Sequence, residues 1–263
     1  MKNTVSKEIN SLNNPEYKFL ISLKKNRNRK KENKSIAEGF RENQNILNSE
    51  LKIDTLYFCN EYFMGDNNDE LLQKFENENV RIVRMSKKIF SQLSYRDRPD
   101  GFISLFDTVE LNIPNKLNGP ILIPDQIEKP GNLGTMIRTA KSFGINNIIL
   151  SDKITDVFNP NVIRSSIGHV FTMNIFTGSQ EKVFQNLVQN AYDILLLDPN
   201  GDQDLNEYKP KQNFALVVGA EQYGISPSWF KKESTSLYIR STNGVDSLNA
   251  STAAAIGMWE LTK

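Results

Sequence analysis

The chain has 263 residues, 38% hydrophobic and 24% charged, with a net charge of +1. This composition fits a globular chain of one large domain or two ordinary ones and excludes a disordered one. No apolar run approaches the roughly 20 residues of a membrane helix, and Met1-Lys2-Asn3-Thr4 opens without an apolar signal core, so no membrane contact and a cytoplasmic location are expected.

One cysteine, Cys59, excludes an internal disulfide, and one cysteine with one histidine, His169, excludes a structural zinc cluster. Charge is unevenly spread: residues 1–41 carry 11 Lys/Arg against 4 Asp/Glu, which leaves the remainder net acidic. That asymmetry points to a polyanion contact near the N-terminus.

Pro15–Leu23 reads as a first helix with Tyr17, Leu20 and Ile21 inward. Lys24 to Lys34 follows, with seven basic residues in eleven. It reads either as a solvated, mobile loop or as a basic arm on phosphates, through Lys24, Lys25, Arg27, Arg29, Lys30 and Lys31. From Ser35 to Phe106 strand-like pieces (35–38, 55–59, 80–85, 101–106) alternate with helix-like ones (41–51, 69–77, 86–93), a small α/β unit. Cys59 falls in a strand run and reads as a core residue. Asp107 to Gly119, with Pro114, Asn115 and Asn118, reads as a linker. The expected division is 1–108, a linker at 109–119, and a second domain at 120–263.

In the second domain strands are expected at 120–124, 147–151, 170–176, 192–197, 214–218 and 236–240. Helices are expected at 132–143, 160–167, 179–190, 226–232 and 248–261. This alternation argues a mostly parallel sheet covered by helices on both faces. Three stretches at strand ends carry polar groups. In Lys129–Gly144, Pro130 and Gly131 make a turn, Asn132 reads as the N-cap, and Met136, Ile137, Ala140 and Phe143 recur at helical spacing. Arg138 lies off that apolar face, where it suits an anionic substrate; the same stretch also reads as an ordinary βα connection with a surface Arg.

The second stretch, Val217–Ser226, has the glycine spacing of a phosphate loop, but Ile225 stands where that motif needs Lys, and Glu221 would repel phosphate. No Gly-x-Gly-x-x-Gly occurs either, so a dinucleotide site is not expected. In the third, Val245–Glu260, Ser247 or Asn249 can cap a helix of small residues, which also reads as a packing helix. His169 reads as structural, since no carboxylate partner is visible near it. Together the three stretches offer amides, hydroxyls, a carboxylate and a guanidinium. That set orients a hydroxyl and a phosphate and does not match a hydrolase triad or a metal site.

Pro130-Gly131-Asn132-Leu133-Gly134 with Arg138, Gly219-Ala220-Glu221 with Gly224, and Ser247-Leu248-Asn249-Ala250-Ser251 resemble, in order and spacing, the three motifs of the SpoU-type (TrmH-like) RNA 2′-O-ribose methyltransferases of the SPOUT superfamily. More weakly, Asn14-Pro15 and Ile36-Ala37-Glu38-Gly39 with Arg41 resemble the ribosomal-protein-like substrate-binding domain of the rRNA-modifying members.

The resemblance implies S-adenosyl-L-methionine (SAM) bound, without metal, in a C-terminal α/β domain with a deep trefoil knot. It also implies a homodimer and RNA as partner; the sizeable N-terminal domain favours rRNA, 23S above all, with a tRNA 2′-O-methyltransferase or a non-catalytic RNA-binding module of the same fold as the alternatives. It assigns SAM contacts to Gly219, Ile239 and Leu248, with Leu196 and Leu197 beside them, and RNA contacts to the basic arm and Arg41. Catalytic and RNA-positioning roles fall to Asn132, Arg138, Glu221, Ser247 and Asn249. A guanidinium stays protonated, so Arg138 is expected to position the substrate electrostatically. This chain departs from the family pattern at Lys129, Arg240 and Ala250, and none of these removes a group that the reaction needs.

Overall fold

Two sheets carry the chain, and their central strands are runs rich in Ile, Val, Leu and Phe. The structure is a computed structural model and describes residues 5–231, 233–241 and 248–263. Its contacts divide it into two units. One runs to Val109 and includes Val157–Thr172; the other comprises Glu110–Asp156 and Met173–Lys263.

The first unit contains β1 (Val5–Ile9), α1 (Pro15–Ser22), α2 (Asn26–Glu32), β2 (Lys34–Glu38), α3 (Phe40–Leu47), β3 (Ile53–Phe58), α4 (Asn68–Asn77), β4 (Arg81–Met85), α5 (Lys87–Leu93) and β5 (Phe102–Asp107). Its sheet has the order β1-β4-β3-β5-β2, with β1, β4 and β3 parallel and β5 antiparallel to both β3 and β2. Leu20, Ile36, Phe90 and Ile103 belong to its core. Asn14 caps α1 by accepting from the Glu16 N–H at 2.8 Å, and Pro15 takes the first helical position, where no N–H is needed. β1 is absent from the sequence expectation, because Val5 and Ile9 are its only apolar residues.

The basic stretch is not an irregular loop. Asn26–Glu32 form α2, since Arg and Lys favour helix and the cations of its last turn sit at the negative end of the helix dipole. Asn33 closes it with φ 49°, in the left-handed region that asparagine tolerates.

The second unit contains β6 (Ile121–Pro124), α6 (Pro130–Ser142) and β7 (Asn147–Ser151); α7 (Pro160–Ser165) groups with the first unit. Then come β8 (Asn174–Gly178), α8 (Gln180–Gln189), β9 (Asp193–Leu197), β10 (Gln203–Asp204), β11 (Phe214–Val218), β12 (Ser234–Tyr238) and α9 (Ala250–Thr262). The seven strands lie in the order β10-β12-β9-β11-β6-β7-β8, every pair parallel. β6, β7, β9 and β11 are buried from end to end, which is why they read as continuous apolar runs.

Two local expectations fail here. The run at 170–176 opens as a 3-10 turn, His169–Phe171, and becomes strand only at Asn174, because Ile167 and Gly168 turn the chain with φ 52° and 76°. The expected helix at 226–232 is a single 3-10 turn, Pro227–Trp229. The Ser234 hydroxyl donates to the Trp229 and Lys231 carbonyls at 3.0 and 2.8 Å, taking acceptors that a longer helix would use.

Val218 at the end of β11 pairs with Pro124 on one side and Leu197 on the other, and Leu197 also pairs with Leu237. The loops leaving β6, β11, β9 and β12 therefore emerge along one edge of the sheet. Parallel α/β sheets place their ligands at such carboxyl edges.

Candidate active site

Three of the expected site residues meet at that edge. Asn132 donates from Nδ2 to Glu221 Oε1 at 2.9 Å. Asn249 Nδ2 donates to the same Glu221 oxygen and to Asn132 Oδ1, the latter at 3.2 Å. Asn132 is not the N-cap of α6; Lys129 holds that position, and the Asn132 side chain is free to turn to Glu221. Asn249 is the N-cap of α9, with Oδ1 accepting from the N–H groups of Ser251 and Thr252 at 2.9 and 3.3 Å. That cap fixes which end of the amide faces the helix, so its NH₂ must face Glu221.

The second Glu221 oxygen takes Lys129 Nζ. The ammonium, and after it the Asn132 amide, holds the Glu221 carboxyl below the usual carboxylate range. It is therefore ionised at neutral pH, with both oxygens engaged by donors.

The loop that carries Glu221 is rigidly built. Ala220 and Gly224 exchange backbone hydrogen bonds at 3.1 and 2.9 Å, closing a tight turn with Gly224 at φ 67°. A Cβ on Gly219 would lie 2.1 Å from the Gly224 carbonyl carbon, so no side chain fits there. Fully buried Asp125, just after β6, accepts from the Ser226 N–H at 2.9 Å and its hydroxyl at 2.7 Å, and with its other oxygen from Ser151 Oγ at 2.7 Å. This carboxylate ties together the ends of β6, β7 and the β11 loop. The sequence reading missed Asp125, because an acidic residue after a strand shows no partner until the fold supplies one.

Beside the cluster lies a cleft of about 880 Å³, lined among others by Leu197, Gly219, Ile239 and Leu248, with Asp198 and Asn200 as polar groups. Apolar walls with a few polar groups and a volume of several hundred Å³ match a nucleoside-sized ligand. Ala220 and Glu221 line both this cleft and a smaller hollow of about 120 Å³ that includes Lys129 and Asn132. Leu196 does not line the cleft. It is fully buried in the core with Ile123, Ile194 and Val217, because neighbouring strand residues face opposite ways and only Leu197 reaches the ligand side. Arg240, at the rim, pairs with Asp204 at 2.6 Å.

Arg138 is not part of the cluster. It is exposed on α6 and has no ion pair or side-chain hydrogen bond among the described residues. Six residues past Asn132, it sits about 9 Å along and two-thirds of a turn round the helix. Ser247 lies outside the described residues. His169 belongs to the first unit and does not line the cleft. Burial and the nearby Glu61 carboxylate push the Cys59 thiol up to about 12, which leaves no thiolate for nucleophilic chemistry.

In the first unit the basic residues divide. Arg29, 3% exposed, donates from Nη1 to the carbonyls of Leu23 and Lys24 at 2.9 and 3.2 Å, so it closes the end of α1 and offers nothing to a phosphate. Lys24 Nζ donates to the Gln92 and Ser94 carbonyls and lies 4.8 Å from the centre of the Tyr95 ring. Lys25, Arg27, Lys30, Lys31 and Arg41 are exposed.

The SpoU rRNA Methylase family model matches residues 119–259, and a model described as the MRM3-like substrate binding domain matches residues 14–104. The 23S rRNA (guanosine(2553)-2′-O)-methyltransferase RlmP of Bacillus subtilis is 26% identical over 182 residues, 69% of this chain and 73% of that protein. An uncharacterized tRNA/rRNA methyltransferase of Borreliella burgdorferi is 30% identical over 199 residues, 74% of this chain and 84% of its own. The crystal structure of an rRNA methyltransferase from Sinorhizobium meliloti superimposes with a TM-score of 0.84 at 25% identity, covering 96% of each chain. Its AdoMet-bound form shares the fold with a TM-score of 0.85. With the first model spanning more than half of its length, the chain belongs to the SpoU rRNA methylase family.

Proposed function

We propose that this protein transfers a methyl group from SAM to a ribose 2′-hydroxyl of RNA, with 23S rRNA the preferred substrate. One observation carries this reading: Asn132, Glu221 and Asn249, from three separate stretches, converge beside a cleft of nucleoside size. The named activity of the Bacillus subtilis relative supports the same reaction class.

The cleft residues fit the cofactor. Leu197, Ile239 and Leu248 supply apolar surface, Gly219 keeps the turn closed, and Asp198 and Asn200 supply polar contacts. When bound there, SAM would supply an electrophilic methyl on its sulfonium; as the C–O bond forms the S–CH₃ bond would break, the sulfur would leave as a neutral thioether, and the ribose hydroxyl would give its proton to water. The chain's task is to bring the ribose oxygen into line, and such positioning is worth several orders of magnitude in rate. Glu221, held as an anion by Lys129 and Asn132, orients the two amides and accepts from the sugar. Asn249 and Ser247 contact the ribose. Arg138, an exposed permanent cation, holds the adjacent phosphate without acting as a base. No group of three or more His, Cys, Asp or Glu suited to a metal occurs among the described residues.

The reading extends to a homodimer in the cytoplasm, with a trefoil knot in the C-terminal domain. Support for the dimer comes from Trp259, an aromatic side chain of α9 exposed at 56%. Substrate capture falls to residues 1–108, through Lys25, Arg27, Lys30, Lys31 and Arg41, and methyl transfer to 120–263.

The test is incubation with tritiated SAM and 23S, 16S and tRNA substrates, beside an Arg138→Ala control. Label in 23S rRNA that survives as an alkali-resistant dinucleotide, and is lost in the control, is the expected result. Label confined to tRNA rejects the rRNA assignment, and SAM binding without label on any RNA rejects the enzymatic one.

A further inference from the structure

We infer that Tyr223 is a stacking platform for an unpaired RNA base beside the ribose that is methylated; this rests on the RNA-methyltransferase reading above. At 73% exposure Tyr223 is the most exposed large apolar side chain among the described residues. Its ring has no aromatic or cationic partner, and its hydroxyl no hydrogen-bond partner, among those residues. A ring this exposed contributes little to the fold.

The backbone beneath that ring is nevertheless held. The turn is closed by the paired Ala220–Gly224 hydrogen bonds and by the Gly219–Gly224 approach that excludes a Cβ, and it is tied through Ser226 to buried Asp125. Only Glu221, Gln222 and Tyr223 lie between the paired residues. Glu221 turns its carboxylate to Asn132 and Asn249, while Tyr223 borders the large cleft. Carboxylate and ring thus ride on one rigid turn, and a nucleotide that presents its ribose to Glu221 brings a base within reach of the ring.

Unpaired RNA bases are commonly recognised by stacking on aromatic side chains. Tyrosine has only two side-chain torsions, so fixing its ring on a held backbone costs little conformational freedom. Stacking needs only a π face, so the contact favours an unstacked nucleotide over a paired one without selecting its identity.

The test uses the full chain and the RNA that the wild-type protein methylates, beginning with a 23S rRNA transcript. It compares wild type, Tyr223→Ala and Tyr223→Phe for RNA KM, kcat, SAM affinity and melting temperature. The expected result for Tyr223→Ala is a rise in RNA KM of about tenfold with SAM affinity and melting temperature kept, and recovery of most of that effect in Tyr223→Phe, which restores the ring face. An active Tyr223→Ala enzyme with unchanged RNA KM overturns the platform. A defect traced to SAM affinity also overturns it and assigns the ring to the cofactor. Failure of the wild type to methylate any RNA strikes the underlying reading, and the inference falls with it.

Discussion

Asn132 donates to Glu221 across 2.9 Å, although 89 residues separate them. The same Glu221 oxygen receives the Asn249 amide, so a carboxylate and two amides form one polar cluster. An anion with both oxygens engaged by donors is a poor proton acceptor and a good orienting group. The positioning role assigned to Glu221 follows from that.

Glu221→Gln and Asn132→Ala should lower kcat by about 10²–10³-fold while leaving SAM affinity within a few-fold, as when one preorganised electrostatic interaction is removed. Steady-state kinetics with separate SAM titration check this. An unchanged kcat in either variant rejects the cluster as catalytic.

Asn249 holds two roles that substitution separates. Serine is also a strong N-cap, so Asn249→Ser should keep the melting temperature near that of the wild type and still lose activity with the amide. Asn249→Ala should lose both, with stability falling by about 1 kcal/mol, typical of cap removal. Thermal melts beside activity assays distinguish the two.

The Glu221 carboxyl is held low, first by Lys129 and then by Asn132. Its ionised form is therefore present above the ordinary carboxylate range and lost only as pH falls through the lowered value. The acid limb of the pH–rate profile should accordingly lie below the usual carboxylate range, and Lys129→Ala should move it to higher pH. A limb that does not move in the variant assigns that limb to another group.

Combined neutralisation of Lys25, Arg27, Lys30 and Lys31 should weaken RNA binding and flatten its salt dependence, by up to about 0.7–0.9 in slope for each phosphate that the variant no longer engages. Arg29→Ala should instead destabilise the protein by about 1–3 kcal/mol, the range for leaving buried hydrogen-bonding groups unsatisfied. A binding defect without destabilisation in Arg29→Ala contradicts its structural placement.

Burial lifts the Glu42 carboxyl to about 7, against the opposing pull of Arg96 at 2.6 Å. A carboxyl raised on folding contributes stability that is full below its unfolded value and is lost as pH rises through the folded one. Melting temperature should thus decline between about pH 4.5 and 7. Glu42→Gln, which cannot ionise, should flatten that decline.

Much of the fold was legible because its signals are local. Continuous apolar runs announced β6, β7, β9 and β11, which are buried on both faces of a parallel sheet. Asn249 was legible as a cap because its partners, Ser251 and Thr252, are its chain neighbours. Where local signals were ambiguous, the reading slipped. Seven cations in eleven residues read as a loop or arm, and only packing shows Arg29 turned inward to close α1. Leu196 and Leu197 are alike in type, and only the pleat separates core from cleft.

By itself the sequence determined the buried strands of the parallel sheet, the Asn249 cap and the motif residues that place the chain in its family. The tertiary structure decided which of those residues touch. Strand order sets β11 between β6 and β9, and this brings Glu221 to Asn132 and Asp125 to Ser226. Such pairings join positions 28 to 117 residues apart. Helical and strand periodicities extend over a few residues only, so pairings at these separations arise when the buried faces of the sheet are packed together.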